Sequence, residues 1–392
     1  MTVRMQRLGD VCDINPRLPR DNGLNDDNEV SFVPMAAVSE VSGTIEAATS
    51  RPYAEVRKGY TAFSDGDVLF AKITPCMENG KAALASGLAG GRGFGSTEFH
   101  VLRARASVLP EWIYYFVRRE PFRSEAKRNF TGTAGQQRVP AAFLQDTLLP
   151  VPPLDEQRRV VDVLARAEGI VRLRREAQQK AAELIPAIFI DMFGDPATNP
   201  KGWPIRRLGD VVQSVSGGTP AKARLEFWDG DLPWVSPKDM KRDAIDDAED
   251  HVNRIVLTET SLKLIPTDSI LVVVRGMILV HTVPVAITRV PVTINQDMKA
   301  LRPASCITST YLQWLMKASH AKLLASVSTA AHGTKKLDTE VLMAMPVPLP
   351  PLPLQRAFAH HVWTAQSILS QQAEALRKAT ATFDALLSRA FH

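Results

Sequence analysis

The stretch PVPPLDEQR, Pro150 to Arg158, leads into a long run of helix-forming residues, and a close copy of it, PLPPLPLQR, stands at Pro348 to Arg356. A second pair of segments has nearly the same spacing, because RLGDV occurs at Arg7 to Val11 and again at Arg207 to Val211. Segments that repeat in the same order predict a repeated architecture. We therefore predict that the chain consists of two similar halves, each ending in a helix.

Between these anchors the correspondence is looser, but its order is the same in both halves. The aligned pairs are DGDVLFAK at 65–72 with PTDSILVVVR at 266–275, STEFHVLR at 96–103 with NQDMKALR at 295–302, and TGTAGQQRV at 131–139 with TAAHGTKKL at 329–337. The order is kept while the side chains diverge, as expected of two halves with one architecture.

The segment after each proline-rich stretch has apolar residues in alternating steps of four and three, the 3.5-residue period of a coiled-coil seam. Arg174, Gln178 and Gln372 interrupt the seams, either to set the register or at a wet crossing point. Pro186 is expected to kink or shorten the first helix. If the halves are related by a pseudo-twofold axis, the two helices run antiparallel. The seam residues on which this prediction rests are Val160, Leu164, Val171, Ile185, Phe358, Val362, Leu369, Leu376 and Phe383.

Composition sets the class of protein. The chain has 392 residues, of which 45% are hydrophobic and 23% charged, as expected of a globular protein with more than one domain. Its 3 cysteines stand far apart, which predicts neither a disulfide framework nor a thiolate metal site and favours a cytoplasmic location. The most apolar stretch, ILVVVRGMILV, is interrupted by Arg275 and is too short to cross a bilayer, so we interpret it as a pair of buried strands.

We find no catalytic constellation in the sequence. There is no Walker lysine motif, and the NP dipeptides at Asn15 and Asn199 lack the second proline and the aromatic residue of an amino-methyltransferase motif. The histidines do not have metal-ligand spacing. The net charge of +5 permits a polyanionic partner without requiring one.

In this order, and written twice, these motifs resemble the specificity subunits of type I restriction and modification enzymes. The resemblance covers essentially the whole chain and implies an α+β fold, with two pseudo-repeated mixed α/β target-recognition domains separated by two long helices that form an antiparallel coiled coil. The domains expected from it are 1–150 and 196–348 for recognition, with a central spacer helix in 151–195 and a C-terminal spacer helix in 349–392. The second proline-rich stretch departs from the pattern, since Pro353 and Leu354 replace two acidic residues, so the second helix is expected to start differently or to face a different partner surface.

The resemblance also implies function. Each recognition domain would read one half of a bipartite, asymmetric double-stranded DNA site, and the chain would dock two methyltransferase subunits and then restriction and translocase subunits. We expect no cofactor on this chain and no membrane partner, with S-adenosylmethionine, ATP and magnesium held only by the partner subunits. Two alternatives stay open: an independent enzyme with an unfamiliar site, and a structural adaptor that bridges proteins.

Reading DNA requires cations for the phosphates and forked donors for base edges. We expect such residues on loops of the two halves, although a solvated surface charge would look the same. The candidates of the first half are Lys72, Thr74, Arg92 in the glycine-rich loop, Gln136, Gln137 and Arg138, and those of the second half are Lys238, Arg275, His281, His332, Lys335 and Lys336.

Overall fold

The computed structural model describes residues 4–19, 23–133, 135–329 and 333–392, and the chain forms two compact units. Unit 1 consists of Met1–Ala177 together with Ala373–His392, and unit 2 consists of Gln178–Gln372. The boundary between the units cuts through both long helices, so it differs from the division into recognition domains and spacer helices, which stays a prediction.

The strands of unit 1 are Arg4–Arg7 (β1), Cys12–Ile14 (β2), Glu29–Val33 (β3), Thr49–Pro52 (β4), Thr61–Ser64 (β5), Val68–Ala71 (β6), Ala82–Leu84 (β7), Arg92–Gly95 (β8), Phe99–Ala104 (β9) and Leu148–Val151 (β10). Its helices are Leu8–Val11 (α1), Tyr53–Val56 (α2), Pro110–Arg118 (α3), Glu120–Arg128 (α4), Ala141–Asp146 (α5) and the first part of Leu154–Phe193 (α6).

Two four-stranded sheets form the scaffold of unit 1, and β1 pairs with β10. The sheet β2-β9-β6-β7 is antiparallel throughout, whereas the sheet β4-β3-β8-β5 is mixed because β3 and β8 run parallel. The motif DGDVLFAK builds the central strand β6. Gly66 takes the positive φ of 87° that the turn before this strand requires. The buried Asp67 carboxylate accepts hydrogen bonds from the Ser64 N–H at 2.7 Å and from Nε and Nη2 of Arg103 at 2.8 and 2.7 Å. These bonds fix the position at which β6 begins.

In unit 2 the strands are Ile205–Arg207 (β11), Val212–Ser216 (β12), Leu232–Val235 (β13), Ala244–Ile245 (β14), Asp250–Val252 (β15), Ile270–Val273 (β16), Val285–Thr288 (β17), Thr293–Ile294 (β18), Met298–Pro303 (β19), Ser328–Thr329 (β20), Lys335–Lys336 (β21) and Pro346–Pro348 (β22). The helices are Leu208–Val211 (α7), Val256–Glu259 (α8), Ser309–Ala318 (α9), His320–Ala325 (α10), Thr339–Met343 (α11) and most of Leu352–Ala390 (α12).

The sheets of unit 2 repeat those of unit 1. The order β12-β19-β16-β17, extended by β14, corresponds to β2-β9-β6-β7, and β15-β13-β18 corresponds to β4-β3-β8. The directions agree as well, because β3 is antiparallel to β4 and parallel to β8, just as β13 is antiparallel to β15 and parallel to β18. The repeated α+β architecture predicted from the sequence is confirmed.

Aromatic side chains join the long helices to each unit. In unit 1 the Phe391 ring, just after α12, lies 4.4 Å from the Trp112 ring of α3, centroid to centroid, in a core that also contains Leu164 of α6. In unit 2 the Phe193 ring at the end of α6 lies 4.8 Å from the Tyr311 ring of α9 and 5.3 Å from the Phe358 ring of α12. The start of α6 thus packs with the end of α12, and the end of α6 with the start of α12, as in an antiparallel coiled coil.

Two details of the long helices differ from the expectations. Pro186 lies inside α6, which continues to Phe193, so the proline does not shorten the helix. The second helix begins at Leu352, the counterpart of Leu154, so the loss of the two acidic residues does not move its start. Pro353 is tolerated there because the first turn of a helix needs no N–H partner.

Burial along α6 and α12 follows the 3.5-residue spacing. The seam residues Val160, Leu164, Val171, Ile185, Phe358, Val362, Leu369, Leu376 and Phe383 are all buried or half-buried. Arg174 is exposed, whereas Gln178 and Gln372 are half-buried.

The apolar stretch ILVVVRGMILV does not form two strands. Ile270–Val273 is strand β16, but Met277–Val280 is a short 3₁₀ turn that follows Gly276. Gly276 has a φ of 133°, which turns the chain away from the sheet after Arg275. None of the helices in the described part of the chain combines the length and the apolar composition that a membrane-spanning segment needs.

Candidate nucleic-acid interface

Three segments of unit 1 meet where β6 ends. The Lys72 N–H donates to the Glu98 carbonyl at 2.9 Å, and the Val139 N–H donates to the Lys72 carbonyl at 2.9 Å. The Thr74 N–H donates to the Gln137 carbonyl at 3.0 Å. We call the surface formed by Lys72, Thr74, Glu98 and residues 136–139 edge 1. Backbone bonds therefore bring these three segments together.

A forked ion pair lies at the centre of edge 1. Nε and Nη2 of Arg138 donate to the two carboxylate oxygens of Glu98, each at 2.8 Å, and Nη1 donates to the Gln136 carbonyl at 2.8 Å. The bonds from Arg138 lower the pKa of Glu98, and those from Glu98 raise the pKa of Arg138. Bidentate pairs of this kind fix the plane of the guanidinium.

A buried histidine supports the same edge from the inside. Nε2 of His100 lies 2.8 Å from the Val139 carbonyl, and Nδ1 lies 2.9 Å from Nδ2 of Asn15. A carbonyl only accepts, so Nε2 carries the proton and donates to Val139, while Nδ1 accepts from Asn15. Burial is the main cause that lowers the pKa of His100, which keeps the ring neutral.

The candidates predicted for the first half fall into two groups. Lys72, Thr74, Gln136, Gln137 and Arg138 all lie at edge 1, where Gln136 is exposed and the other four are half-buried. The Thr74 hydroxyl donates to Oε1 of Glu78 at 2.5 Å. These contacts leave the Lys72 ammonium and the Gln136 and Gln137 amides as the polar side-chain groups of edge 1 without a hydrogen bond to another group of the described residues.

Arg92 does not lie at edge 1, and the prediction that it lies in a loop was wrong. It is the first residue of β8 and faces Ser64 across the β5–β8 pair, donating to the Ser64 hydroxyl at 2.8 Å. Ser64 comes before β6, whereas Lys72 comes after it, so Arg92 lies near the other end of this strand. Pairing between strands distant in sequence decides this position.

Unit 2 has an equivalent surface, edge 2, formed by Val274, Arg275, Asp297 and residues 335–337. The Val274 N–H donates to the Asp297 carbonyl at 2.8 Å, and the Leu337 N–H donates to the Val274 carbonyl at 2.9 Å. These bonds correspond one by one to those of Lys72 in unit 1.

The predicted residues Arg275, Lys335 and Lys336 therefore lie together at edge 2. Arg275 is exposed, and Nζ of Lys335 donates to the Thr329 hydroxyl at 2.8 Å. Lys336 forms an ion pair with Asp338. Edge 2 thus has the single ammonium group of Lys336 at the position where edge 1 has the Arg138 fork.

The remaining candidates of the second half are placed differently. Lys238 forms ion pairs with Glu249 at 3.2 Å and Asp250 at 3.0 Å, which connect it to β15 and not to edge 2. The hydrogen bond to Asp250 is the main cause that raises the Lys238 pKa. His281 is exposed and follows the Met277–Val280 turn. His332 lies outside the described residues.

Glu98 and His100 are the functional candidates that the sequence reading missed. Both stand in STEFHVLR, whose sequence signal is its correspondence with NQDMKALR in the other half. The available signal was that an acidic residue, Glu98 or Asp297, comes just before a strand in each copy. The described residues contain no group of three or more His, Cys, Asp or Glu side chains that could hold a metal ion.

The comparisons with known proteins agree with this architecture. The family model of the type I restriction modification DNA specificity domain matches residues 2–183 and 200–371. The chain is 39% identical over 160 residues to the specificity subunit of type I restriction enzyme EcoEI of Escherichia coli, covering 41% of this chain and 26% of that protein. It is 29% identical over 254 residues to the EcoR124I/EcoR124II specificity subunit of Escherichia coli, covering 62% of this chain and 60% of that protein.

The chain thus spans between about a quarter and three fifths of the length of these two curated relatives. The fold is also that of a solved structure from work on complex assembly and conformational transition of the type I R-M system. The TM-score is 0.64 and the sequence identity 23%, and the match covers 99% of this chain and 97% of that chain. With a family model that matches both halves of the sequence, the chain belongs to the family of type I restriction-modification DNA specificity subunits.

Proposed function

We propose that this protein is the DNA sequence-recognition subunit of a type I restriction-modification complex. It binds a bipartite, asymmetric site in double-stranded DNA, with edge 1 reading one half-site and edge 2 the other. It docks two methyltransferase subunits and, through them, restriction and translocase subunits. It catalyses no reaction itself, and S-adenosylmethionine, ATP and magnesium are held by the partner subunits.

The observation that carries this proposal is the repeat of edge 1 as edge 2. In unit 1 the Lys72 N–H donates to the Glu98 carbonyl, and the Lys72 carbonyl accepts from the Val139 N–H. In unit 2 Val274 makes the same two backbone bonds, with Asp297 and Leu337. The side chains at these positions differ. One scaffold that presents two different sets of donors suits a DNA site with two different halves.

Methylome sequencing tests the proposal directly. A host that expresses this chain with the methyltransferase of its own system is compared with a host that expresses the methyltransferase alone. We expect a split, asymmetric methylated motif only when this chain is present. A motif that appears equally without it would contradict the assignment, as would the absence of any motif when both proteins are soluble and associated.

The division of labour between the edges is tested in the same assay. Replacing Gln136, Gln137 and Arg138 together by alanine changes edge 1 without touching edge 2, so the first half-site of the motif should change and the second should remain. Equal loss of both half-sites would show that the units do not read DNA separately.

A further inference from the structure

The guanidinium of Arg138 is held on one side and open on the other. An arginine side chain has five N–H donors. Three of them, one each on Nε, Nη1 and Nη2, donate to Glu98 and to the Gln136 carbonyl. Within the described residues the second N–H of Nη1 and that of Nη2 have no acceptor. These two donors belong to neighbouring nitrogens of one planar group, and the side chain is 37% exposed.

The support behind this fork is itself fixed. The Glu98 carbonyl accepts from the Lys72 N–H at 2.9 Å, and the Glu98 N–H donates to the Ser96 hydroxyl at 3.2 Å. The residue after Arg138 is held by His100 through the Val139 carbonyl at 2.8 Å. Both the carboxylate and the backbone that carry the fork are therefore set before any ligand arrives, which lowers the entropy cost of binding.

The ligand that fits has two neighbouring acceptors and little net charge. Two parallel donors can bind the O6 and N7 atoms of guanine in the major groove or two oxygens of a phosphate. The Glu98 carboxylate already compensates the charge of Arg138, and it would repel a phosphate bound to the same guanidinium. A guanine edge is neutral and accepts from both donors without meeting this repulsion.

Resting on the proposed function, we propose that Arg138 reads one guanine of the first half-site, and that Glu98 is the positioning residue that aims it. The equivalent position of edge 2 is Lys336, whose single ammonium is paired with Asp338. Edge 2 therefore lacks this anchored fork at the equivalent position, and the guanine contact proposed for Arg138 belongs to the first half-site.

The first test is the methylome of single variants expressed with the methyltransferase. For Arg138→Ala we expect one guanine position in one half-site to become degenerate, with a loss of preference on the order of 10- to 100-fold, because a bidentate pair to the right base discriminates by about that much. Glu98→Gln keeps the shape of the side chain but weakens the anchor, so it should relax the same position by a smaller factor. The other half-site should be unchanged in both variants, which also shows that they fold and assemble.

A matched control is present in the same unit. Arg105 donates from Nε and Nη2 to Asp13 at 3.0 and 2.7 Å and from Nη1 to the Asp10 carbonyl at 2.9 Å, the same three kinds of bond that Arg138 makes. Arg105→Ala removes a similarly paired arginine away from edge 1 and should leave every position of the motif intact.

The second test separates guanine from phosphate. The purified complex is titrated with duplexes in which the assigned guanine is replaced by 7-deazaguanine, which lacks the N7 acceptor. The wild type should lose roughly tenfold in affinity, and the Arg138→Ala complex should lose nothing further. Arg138→Ala binding that weakens equally on all sequences, with no altered motif position, would identify a phosphate contact and overturn the inference.

The outcomes distinguish the inference from the function on which it rests. If the wild-type chain directs no motif, the proposed function and the guanine contact fall together. If the wild type directs a bipartite motif that Arg138→Ala does not change, or changes in the second half-site, only the guanine contact is overturned.

Discussion

Gln157 and Gln355 stand 198 positions apart and make the same three hydrogen bonds. Each side-chain oxygen accepts, at 2.8 Å, from the N–H of the residue before a short helix, Leu109 in unit 1 and Thr308 in unit 2. Each amide donates to the carbonyl of a proline five residues earlier at 2.8 Å and to a loop carbonyl, at 3.0 Å from Gln157 and 3.2 Å from Gln355. These three hydrogen bonds form a clasp between each long helix and the segment that precedes the short helix of its unit.

Gln157→Ala should destabilise the protein by about 2 to 4 kcal/mol. The side chain is 0% exposed, and its loss leaves one N–H and two carbonyls without their partner. Urea unfolding measures the change in the free energy of unfolding. Gln179→Ala is the control, since this glutamine is exposed on the same helix and its removal should cost less than about 0.5 kcal/mol. Equal losses in the two variants would mean that the clasp does not contribute.

Phe391→Ala should loosen unit 1 and spare unit 2. The Phe391 ring packs on Trp112 at 4.4 Å and on Phe116 at 5.6 Å, so its removal should cost about 3 kcal/mol. Hydrogen exchange should become faster for the amides of α3 and stay unchanged for those of α9. His392→Ala, at the exposed neighbouring residue, should have no effect on either helix.

Val362→Asp should unfold unit 2, whereas Trp363→Asp should be tolerated. Val362 is 3% exposed in the seam, so a carboxylate there is buried without a partner and should cost more than about 3 kcal/mol. Trp363 is 68% exposed, although it is the larger apolar residue. Circular dichroism and urea unfolding of the two variants compare the same new side chain at adjacent positions. Similar stability of both would show that the seam is not packed as described.

Because of His100, the free energy of unfolding should decrease as the pH is lowered below the ordinary histidine pKa. Burial depresses the folded-state pKa of this group below its ordinary value of 6.5, so the unfolded chain binds more protons in that range. The contribution is complete above pH 6.5 and is lost as the pH falls toward the folded-state pKa, by up to about 1.4 kcal/mol for a fall of one unit. Lys72 disfavours and Glu98 favours the protonated ring.

The measurement is the free energy of unfolding at pH 7.5 and pH 5.5 for the wild type and for His100→Gln. The variant should show the smaller difference between the two pH values. His281→Gln serves as the control, because that histidine is exposed and should leave the difference as it is in the wild type. A wild-type slope in His100→Gln would assign the pH dependence to other groups.

The repeat and the long helices could be predicted because their signals are local. A proline-rich start and apolar residues at 3.5-residue spacing predict a helix wherever they stand, and their second copy predicts a second helix. The second copy has no acidic counterparts of Asp155 and Glu156, but its helix still begins at Leu352 and its Gln355 is still buried. The prediction of the second helix therefore does not depend on the two acidic residues.

The position of Arg92 and the role of Glu98 could not be predicted in the same way. Arg92 stands in a glycine-rich stretch that reads as a loop, but its conformation is set by pairing with Ser64, 28 residues earlier. Glu98 belongs to edge 1 because it accepts hydrogen bonds from Arg138, which stands 40 residues later in the chain. Contacts of this kind depend on which strands become neighbours, and no short-range pattern encodes that choice.

The contact between Trp112 and Phe391 has a consequence for how the protein is made. Unit 2 is one continuous segment, Gln178–Gln372, whereas unit 1 also needs Ala373–His392. Domains usually fold as they leave the ribosome, the first-made one first. Unit 1 is begun first, but it is completed only when Phe391 has been synthesised. Until then the face of α3 that contacts Phe391 is exposed on the nascent chain, where chaperones that bind apolar surface have access to it.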